Sequence, residues 1–468
     1  MELWKHQREA IARATPMPHY ALLMEPGTGK SATLINILRQ KFTEHGMVLR
    51  TLILCPTVVC DNWKREWVKF SKVPEYRIVV LDGTGKERAK IINEEINNKT
   101  AQSNRIFICN YQTLLMPKVI EALASWGPEV IVADESHRLK TPNAKTTKAA
   151  IKLASHSTYR YILTGTPVLK SLMDFFSQFK FLDGGETFGP DFNFFMRHYF
   201  YNANANAPAH ITWPEWRVRP NAVKEIQDKV FKKSTYAEKS QCLDLPELVR
   251  KKIYVDMSGP QEKAYKQMES LFITYVDGKA VVATIALTMG LRLMQIVSGF
   301  VKTEDGEEKR FANNPRLDAL RELLSDVAPD HKVIVWACFK ENYGAIKEVC
   351  ENLKLKAVEL HGGTTDREGS IRAFQEDETV RVLIGNQGAG GIGVNLTAAS
   401  YAIYFSRNFS LEHNLQSEAR NYRGGSEVHK KITRIDLVTK GTIDEQVLDA
   451  LDSKQAISDS VLRKMVKQ

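Results

Sequence analysis

A glycine-rich turn between an apolar run and a helical pattern is the first segment of this sequence whose residues could carry out chemistry. It reads ALLMEPGTGKS. Gly27 and Gly29, with Thr28 between them, allow backbone N–H groups to turn towards an anion, and the helix that follows adds its N-terminal dipole. Lys30 is placed to reach the β and γ phosphates of a nucleotide, and Ser31 to ligate Mg²⁺. The segment predicts a phosphate-binding loop, and a glycine-rich turn without a ligand is the alternative.

Two adjacent carboxylates follow another apolar run further along the chain. The run VIVADESH contains Asp134 and Glu135 at its polar end. In parallel sheets, ligands bind at the carboxyl ends of the strands. Asp134 is therefore predicted to hold Mg²⁺, and Glu135 to polarise the water that attacks the γ-phosphate. Two acids are also typical of a solvated sheet edge, but their combination with the phosphate loop favours nucleotide hydrolysis.

Short apolar and β-branched runs recur in both halves of the chain, with helical patterns between them. Runs that are apolar on both faces are typical of central parallel strands covered by helices. The sequence thus predicts an α/β fold with two doubly wound parallel-sheet domains and helical insertions between them. The runs are Ala21–Met24, Thr51–Cys55, Arg77–Leu81, Arg105–Cys109, Val130–Ala133, Tyr159–Leu163, Lys332–Trp336, Ala357–Leu360, a run near Arg381, Tyr401–Phe405 and Ile432–Leu437.

Length and composition exclude several classes of protein. The chain has 468 residues, 43% hydrophobic and 26% charged, which is typical of a folded globular protein. The six cysteines form no CxxC pair or zinc-site spacing, which favours reduced thiols. There is no signal-peptide pattern, and Ala280–Leu291 is shorter than the roughly 20 apolar residues of a membrane span, so we expect a cytoplasmic protein with no membrane partner. The formal net charge of +10, most of it within residues 1–220, points to a polyanionic partner.

A series of motifs surrounds these residues and continues through the second half of the chain. They are LILCPTVVCDNWKREW, DESHRLK and YILTGTPVLKSLMDFFSQFKFLDG, followed by KVIVWACF, QGAGGIGVNLTAASYAIYF and QSEARNYRGG. In this order and at these spacings they resemble motifs Ia, II, III, IV, V and VI of the Swi/Snf-type DNA-dependent ATPases of helicase superfamily two. The resemblance runs from Leu3 to Val447. It implies two RecA-like lobes of a P-loop NTPase, in the compact form found in phages and prokaryotes without accessory domains.

The resemblance also implies roles at the nucleotide. Gln7 is expected to read the adenine, and Gly391 in the fifth motif to contact the nucleotide. Gln416, Arg420 and Arg423 match the QxxxRxxR pattern of the sixth motif and are expected to be catalytic. An arginine that reaches the γ-phosphate from a second lobe would stabilise the charge spread over its oxygens in the transition state. ATP and Mg²⁺ are the implied cofactors.

DNA is the implied partner, and the resemblance identifies the residues that would sense it. Backbone N–H and hydroxyl groups suit contacts to phosphate rather than to bases, as expected for a protein that moves along any sequence. The residues expected to couple the nucleotide to DNA are His137, Thr164, Gly165 and Thr166. The residues expected to contact DNA are Pro56, Thr57, Asn62, Trp63, Tyr111, Gly362, Gly363, Asn395 and Thr397.

Two further segments each allow two interpretations. Lys145, Lys148 and Lys152 could join the DNA-contacting surface or form the solvated face of a helix. The aromatic residues between Phe192 and Trp216 could form the core of a helical protrusion, or could stack on exposed bases.

The motif positions predict the domain boundaries. Residues 1–220 are expected to form the ATP-binding lobe, with a helical and aromatic insertion at about 188–220. Residues 221–314 are predicted to be an interlobe linker and helical insertion, and residues 315–441 the C-terminal lobe. Residues 442–468 are predicted to form a brace helix that begins at a T-x-x-E capping box.

Three functions follow from these patterns. The first is a monomeric ATPase that translocates on double-stranded DNA, with forks or junctions as further substrates, and remodels DNA or protein–DNA complexes. The second is a strand-separating helicase or an annealing and branch-migrating enzyme. The third is a nucleotide-gated DNA-binding scaffold, against which the intact Lys30, Glu135, Arg420 and Arg423 argue.

Overall fold

Two parallel sheets organise the chain in the computed structural model. The structure describes residues 3–97, 106–169, 171–205, 213–242, 244–278, 283–302, 307–390 and 394–463. The chain divides into two compact units, Met1–Leu243 with Lys454–Gln468, and Asp244–Ser453. Each unit contains one of the sheets, and this confirms the predicted α/β class with two parallel-sheet lobes.

Nine strands lie in the described part of the first unit, and seven of them form one sheet. Its strands are β1 (His19–Met24), β2 (Thr51–Cys55), β3 (Ile78–Val80), β4 (Ile106–Asn110), β5 (Val130–Asp134), β6 (Tyr159–Leu163), β7 (Phe200–Asn202), β8 (Trp216–Val218) and β9 (Ser234–Ala237). The sheet order is β3-β4-β2-β5-β6-β1-β9, with every neighbouring pair parallel. Strands β7 and β8 form a separate antiparallel hairpin.

Ten helices accompany these strands in the described part of the first unit. They are α1 (Lys5–Ala14), α2 (Lys30–His45), α3 (Cys60–Phe70), α4 (Gly85–Asn97), α5 (Pro117–Trp126), α6 (Lys145–Ala154), α7 (Asp174–Asp183), α8 (Phe192–Tyr199), α9 (Ala222–Lys232) and α10 (Lys239–Cys242). All residues of β2 are buried, as expected for a central strand that is apolar on both faces.

The second unit is built on a six-stranded parallel sheet. Its strands are β10 (Glu247–Val255), β11 (Phe300–Lys302), β12 (Glu308–Arg310), β13 (Lys332–Trp336), β14 (Lys356–Leu360), β15 (Val380–Gly385), β16 (Ala399–Tyr404) and β17 (Lys431–Thr439). The sheet order is β10-β17-β16-β13-β15-β14, and β11 pairs with β12. The helices are α11 (Gly259–Gly278), α12 (Ala283–Val297), α13 (Pro315–Val327), α14 (Lys340–Asn352), α15 (Arg367–Glu376), α16 (Gln387–Gly390), α17 (Leu411–Glu418) and α18 (Ile443–Arg463), and the residues of α18 from Lys454 onwards belong to the first unit.

The segment 221–314, predicted to be a linker with a helical insertion, is divided between the two sheets. Strand β9 pairs with β1 in the first sheet, and β10 pairs with β17 in the second. Both lie at sheet edges, and β10 is interrupted by the charged residues Arg250, Lys251 and Lys252 rather than forming an apolar run. An edge strand pairs with only one other strand and remains partly exposed to solvent. Its sequence therefore lacks the continuous apolar run by which the central strands are predicted.

Two further features of the described chain are the state of its cysteines and the length and polarity of its helices. All six cysteines are free thiols. No helix within the described residues is both long enough and apolar enough to cross a bilayer.

Candidate functional site

The carboxyl edge of the first sheet brings the predicted nucleotide residues together. Strands β2, β5, β6 and β1 are consecutive neighbours and run parallel, so the segments that follow them leave the sheet at the same edge. The phosphate loop follows β1, the acidic pair closes β5, and the Thr164–Thr166 segment follows β6. Order in the sheet thus joins motifs that lie far apart in the sequence.

The phosphate loop has the backbone geometry that its glycines predict. Gly27 and Gly29 have φ angles of 93° and 83°, in the left-handed region that favours glycine. The Thr28 hydroxyl donates to the Glu25 carbonyl over 2.7 Å and closes the turn. The Lys30 ammonium donates to the Met24 carbonyl over 2.9 Å, which holds the lysine over the loop. A ligand phosphate would give this ammonium an anionic acceptor.

Gln7 contacts the phosphate loop directly. Its amide nitrogen lies 3.4 Å from the Thr28 carbonyl oxygen and 3.5 Å from that of Gly29. A Cβ atom on Gly29 would lie only 2.1 Å from this nitrogen, so any side chain at this position would displace the Gln7 amide from the loop. His6 Nε2 is 2.9 Å from the same Thr28 carbonyl. Helix α1 therefore supports the loop through two side chains, and only its place beside Gln7 in the sequence pointed to His6.

The Asp134 carboxylate is held by two N–H donors. The Trp63 indole nitrogen donates to Oδ2 over 2.8 Å, and the Glu135 backbone nitrogen donates to Oδ1 over 3.0 Å. The Tyr111 hydroxyl donates to the Asp134 carbonyl over 2.7 Å. Glu135 itself has a φ of 52°, a strained conformation for a residue with a side chain. Strain of this kind at a strand end is typical of functional sites.

The charges around Asp134 favour a cation. Burial raises the pKa of Asp134 to about 7, and the neighbouring Glu135 carboxylate acts in the same direction. The hydrogen bond from Trp63 and the charge of Lys30 lower the pKa but do not compensate fully. Two adjacent carboxylates with too little positive charge around them fit a hard divalent cation with oxygen ligands. The residues present therefore fit the Mg²⁺ that the sequence predicts.

His137 joins the acidic pair to the segment after β6. Its ring is buried, and Nδ1 lies 3.1 Å from the Thr164 hydroxyl, 3.3 Å from the Thr166 hydroxyl and 3.4 Å from a Glu135 carboxylate oxygen. Gly165 lies against the phosphate loop, since a Cβ atom there would be 2.5 Å from the Pro26 ring. Of the four residues predicted to couple nucleotide to DNA, His137 thus contacts Glu135 and both threonines, and Gly165 packs against the loop.

Three of the residues predicted to contact DNA from the first unit are buried. Trp63 is 1% exposed and Tyr111 is 3% exposed, and both donate to Asp134 instead of facing solvent. On α3, Trp63 belongs to the buried face, which the sequence order alone does not reveal. Pro56 is also buried, whereas Thr57 is exposed and Asn62 is half-buried with its amide donating to Glu66.

The second unit exposes most of its predicted DNA contacts. Gly362, Gly363 and Asn395 are exposed, whereas Thr397 is buried. The Gly363 N–H donates to His361 Nδ1 over 3.1 Å, so this amide already has an acceptor. Gly391, predicted to contact the nucleotide, lies outside the described residues.

The sixth motif lies on α17 and the turn that follows it. The Gln416 amide is buried, and neither of its polar atoms has a hydrogen-bond partner in the described part of the chain. The Arg420 guanidinium donates to the Gln416 carbonyl over 2.8 Å and to the Val394 carbonyl over 3.0 Å. Arg423 donates to the same Val394 carbonyl over 3.3 Å. Both arginines predicted to be catalytic therefore donate to the same carbonyl oxygen, that of Val394 in the fifth motif.

A buried ionic network, which the sequence did not predict, anchors α17. Arg407 donates to one Glu418 carboxylate oxygen over 3.0 Å, and Arg434 donates to the other over 2.7 Å. Arg407 also donates to Asp436 over 2.5 Å. Glu418 is two residues from Arg420, and an acid inside the sixth motif was the only signal for this role.

Two family models match this chain. The SNF2-related domain matches residues 17–304, which is more than half of the chain. The helicase conserved C-terminal domain matches residues 315–425. The first match includes the phosphate loop and the acidic pair, and the second includes Gln416, Arg420 and Arg423.

Curated relatives share about a quarter of their residues with this chain. An ATP-dependent helicase of Mycoplasma genitalium is 25% identical, and the match covers 98% of this chain and 42% of that protein. The DNA excision repair protein ERCC-6-like of Homo sapiens is 23% identical, with 99% and 41% covered. Protein p41 of Acyrthosiphon pisum secondary endosymbiont phage 1 is 24% identical, with 94% of each covered. The chain spans about two fifths of the first two relatives and nearly all of the phage protein.

The family matches confirm the resemblance inferred from the motifs and the enzyme class that it implied. Together with the phosphate loop on β1 and the acidic pair on β5, they show that the chain belongs to the SNF2-related family of helicase-type ATP hydrolases.

Proposed function

We propose that this chain is a DNA-dependent ATPase that translocates along double-stranded DNA and remodels DNA or protein–DNA complexes. The observation that carries the proposal is the pair of hydrogen bonds from Trp63 and Tyr111 to Asp134. Trp63 lies on α3, the exposed Thr57 lies in the turn that precedes this helix, and Tyr111 follows β4. Because these segments are tied to the acidic pair, a nucleotide that moves Asp134 also moves the segments expected to contact DNA. The name of the human relative, a DNA excision repair protein, supports DNA as the partner.

In this proposal, the residues of the first unit bind and position ATP. Ser31 and Asp134 would hold Mg²⁺, which supplies positive charge to the β and γ phosphates when bound. The Lys30 ammonium exchanges the Met24 carbonyl for a phosphate oxygen, and Glu135 orients the attacking water. Gln7 contacts the carbonyls of Thr28 and Gly29, so a change in the conformation of the phosphate loop would move its side chain.

Arg420 and Arg423 have a separate role in the proposal. They are proposed to stabilise the charge that develops on the γ-phosphate during hydrolysis. The two guanidinium groups, which donate to the Val394 carbonyl, would then donate to phosphate oxygens instead. An exchange of this kind would make hydrolysis depend on the conformation of the fifth motif.

Phosphate release with and without duplex DNA tests the proposal. We expect duplex DNA to raise the turnover of ATP, and Lys30→Ala and Glu135→Gln to lower it by at least about 100-fold, the usual scale for a lost catalytic group. Lys118→Ala is the matched control, because Lys118 lies on the exposed face of α5. Equal turnover with and without every nucleic acid would contradict the proposal.

Displacement of a third strand from duplex DNA tests the movement. We expect the wild-type protein to displace a triplex-forming strand when ATP is present, and the Glu135→Gln variant to leave it bound. Unwinding of a forked duplex without triplex displacement would instead favour a strand-separating helicase.

A further inference from the structure

The aromatic residues between Phe192 and Trp216 divide into a buried set and an exposed set. The buried set packs around Phe195, whose ring centroid lies 5.0–5.6 Å from those of Phe176, Phe188, Tyr199 and Phe200. This set forms the core of the protrusion, which was one of the two interpretations of the sequence. The exposed set lies mainly on the hairpin of β7 and β8 and includes Tyr201, Trp213 and Trp216.

We call residues 200–205 and 213–218 the aromatic hairpin. Hydrogen bonds within these residues hold its conformation. The Asn202 side-chain oxygen accepts from the Asn204 and Glu215 backbone nitrogens over 3.0 Å and 2.9 Å. The Asn204 amide donates to the Trp213 carbonyl over 3.2 Å. At the base, β7 continues directly from α8, which carries the buried aromatic set. The exposed rings therefore project from an ordered support.

The surface of the aromatic hairpin combines uncovered indole rings with positive charge. Trp213 is 61% exposed and Trp216 is 43% exposed, which is unusual for side chains of this size. Arg217 is paired with Glu215 at 2.7 Å. Arg219 donates to the Arg197 carbonyl over 3.5 Å. Neither Arg197 nor Arg219 has a carboxylate partner among the described residues. Arg197 on α8 and Arg219 after β8 lie at the base of the hairpin that carries the two indole rings. Exposed aromatic rings combined with positive charge are features that bind single-stranded nucleic acid.

We propose that the aromatic hairpin binds unpaired bases of single-stranded DNA that adjoins a duplex, as in the arm of a fork. Bases stack on Trp213 and Trp216, and the positive charge of Arg197 and Arg219 attracts the phosphates. Bases inside a duplex have both faces covered by their neighbours, so this surface distinguishes a duplex with an arm from a blunt duplex. The inference rests on the proposed function, since it adds a second DNA element to a duplex-dependent ATPase.

Binding to three labelled DNAs tests the inference: a blunt duplex, the same duplex with one single-stranded arm, and the single strand alone. We expect the wild-type protein to bind the armed duplex about tenfold more tightly than the blunt duplex, the scale of one stacked base. The double variant Trp213→Ala/Trp216→Ala should lose this preference and bind the blunt duplex with unchanged Kd. Its duplex-stimulated ATP turnover should also be unchanged.

Two controls separate stacking from loss of structure. Trp213→Phe/Trp216→Phe keeps a ring at both positions and should retain most of the preference for the arm. Phe42→Ala removes an aromatic ring that is 46% exposed on α2, outside the hairpin, and should change none of the three Kd values. Each variant is compared with the wild type by its thermal unfolding.

The results distinguish this inference from the proposed function. Unchanged armed-duplex affinity in the folded double variant would overturn the inference, and so would an equal loss of affinity for blunt and armed duplexes. A wild type that hydrolyses ATP faster with duplex but shows no preference for the arm overturns the inference alone. A wild type whose turnover no DNA stimulates contradicts the proposed function instead.

Discussion

Trp63 joins the nucleotide site to α3 through a single atom, its indole nitrogen. This nitrogen donates to Asp134 over 2.8 Å, and hydrogen bonds to charged groups contribute about 1.5–3 kcal/mol. Trp67 lies one helical turn further along the same buried face, and its indole nitrogen has no hydrogen-bond partner in the described chain. The two residues therefore form a matched pair that differs in one contact.

Replacement of each tryptophan by phenylalanine isolates this contact. We expect Trp63→Phe to lower duplex-stimulated ATP turnover by about tenfold, because Asp134 loses a donor and α3 loses its connection to the site. Trp67→Phe should leave the turnover within about twofold of the wild type, although it removes the same volume. The measurement is the turnover of ATP with and without duplex, with thermal unfolding as the check on folding. Equal losses in the two variants would show that packing, and not the hydrogen bond, matters at Trp63.

At the scale of elements, α17 is positioned by the ionic network behind it. Burial alone would raise the pKa of Glu418, but the charges of Arg434 and Arg407 lower it to about 2. The ionised carboxylate therefore stabilises the fold at all pH values above its ordinary pKa of 4.5. As the pH falls from 4.5 towards 2, the carboxylate is protonated first in the unfolded chain, and the stabilisation is lost.

The variant Glu418→Gln should reproduce this loss at neutral pH. We expect the free energy of unfolding to fall by about 3 kcal/mol at pH 7, since two buried arginines lose part of their counter-charge. The difference from the wild type should shrink between pH 4.5 and pH 3, which urea unfolding at several pH values would measure. ATP turnover should fall while nucleotide affinity is retained, because α17 leads into Arg420 and Arg423. Glu376→Gln, at an exposed position on α15, is the control. A difference that does not depend on pH would contradict the ionic role of Glu418.

The sequence predicted the elements that carry buried apolar runs and the motifs at their carboxyl ends. The phosphate loop follows β1 and the acidic pair closes β5, as their patterns indicated. What could not be predicted depends on neighbours in space. Strand β10 is largely exposed and carries three consecutive charged residues because it lies at a sheet edge, and Trp63 turns inward because α3 packs against the sheet. Glu418 is recognisable as an anchor only when Arg407 and Arg434 are found beside it.

At the scale of the whole molecule, part of the net charge of +10 lies on the exposed face of α6. Lys145, Lys148 and Lys152 are all exposed on α6 and have no acidic partner among the described residues, so their charge remains available to a polyanion. We expect the triple variant to glutamine to weaken duplex binding and to lower the slope of log K against log salt by about 2 to 3, close to one counterion for each phosphate contact. Lys86, Lys90 and Lys118, exposed on α4 and α5, provide a control triple with the same change of charge. An equal, small decrease of slope in both triples would assign the effect to net charge and leave the α6 lysines as a solvated face.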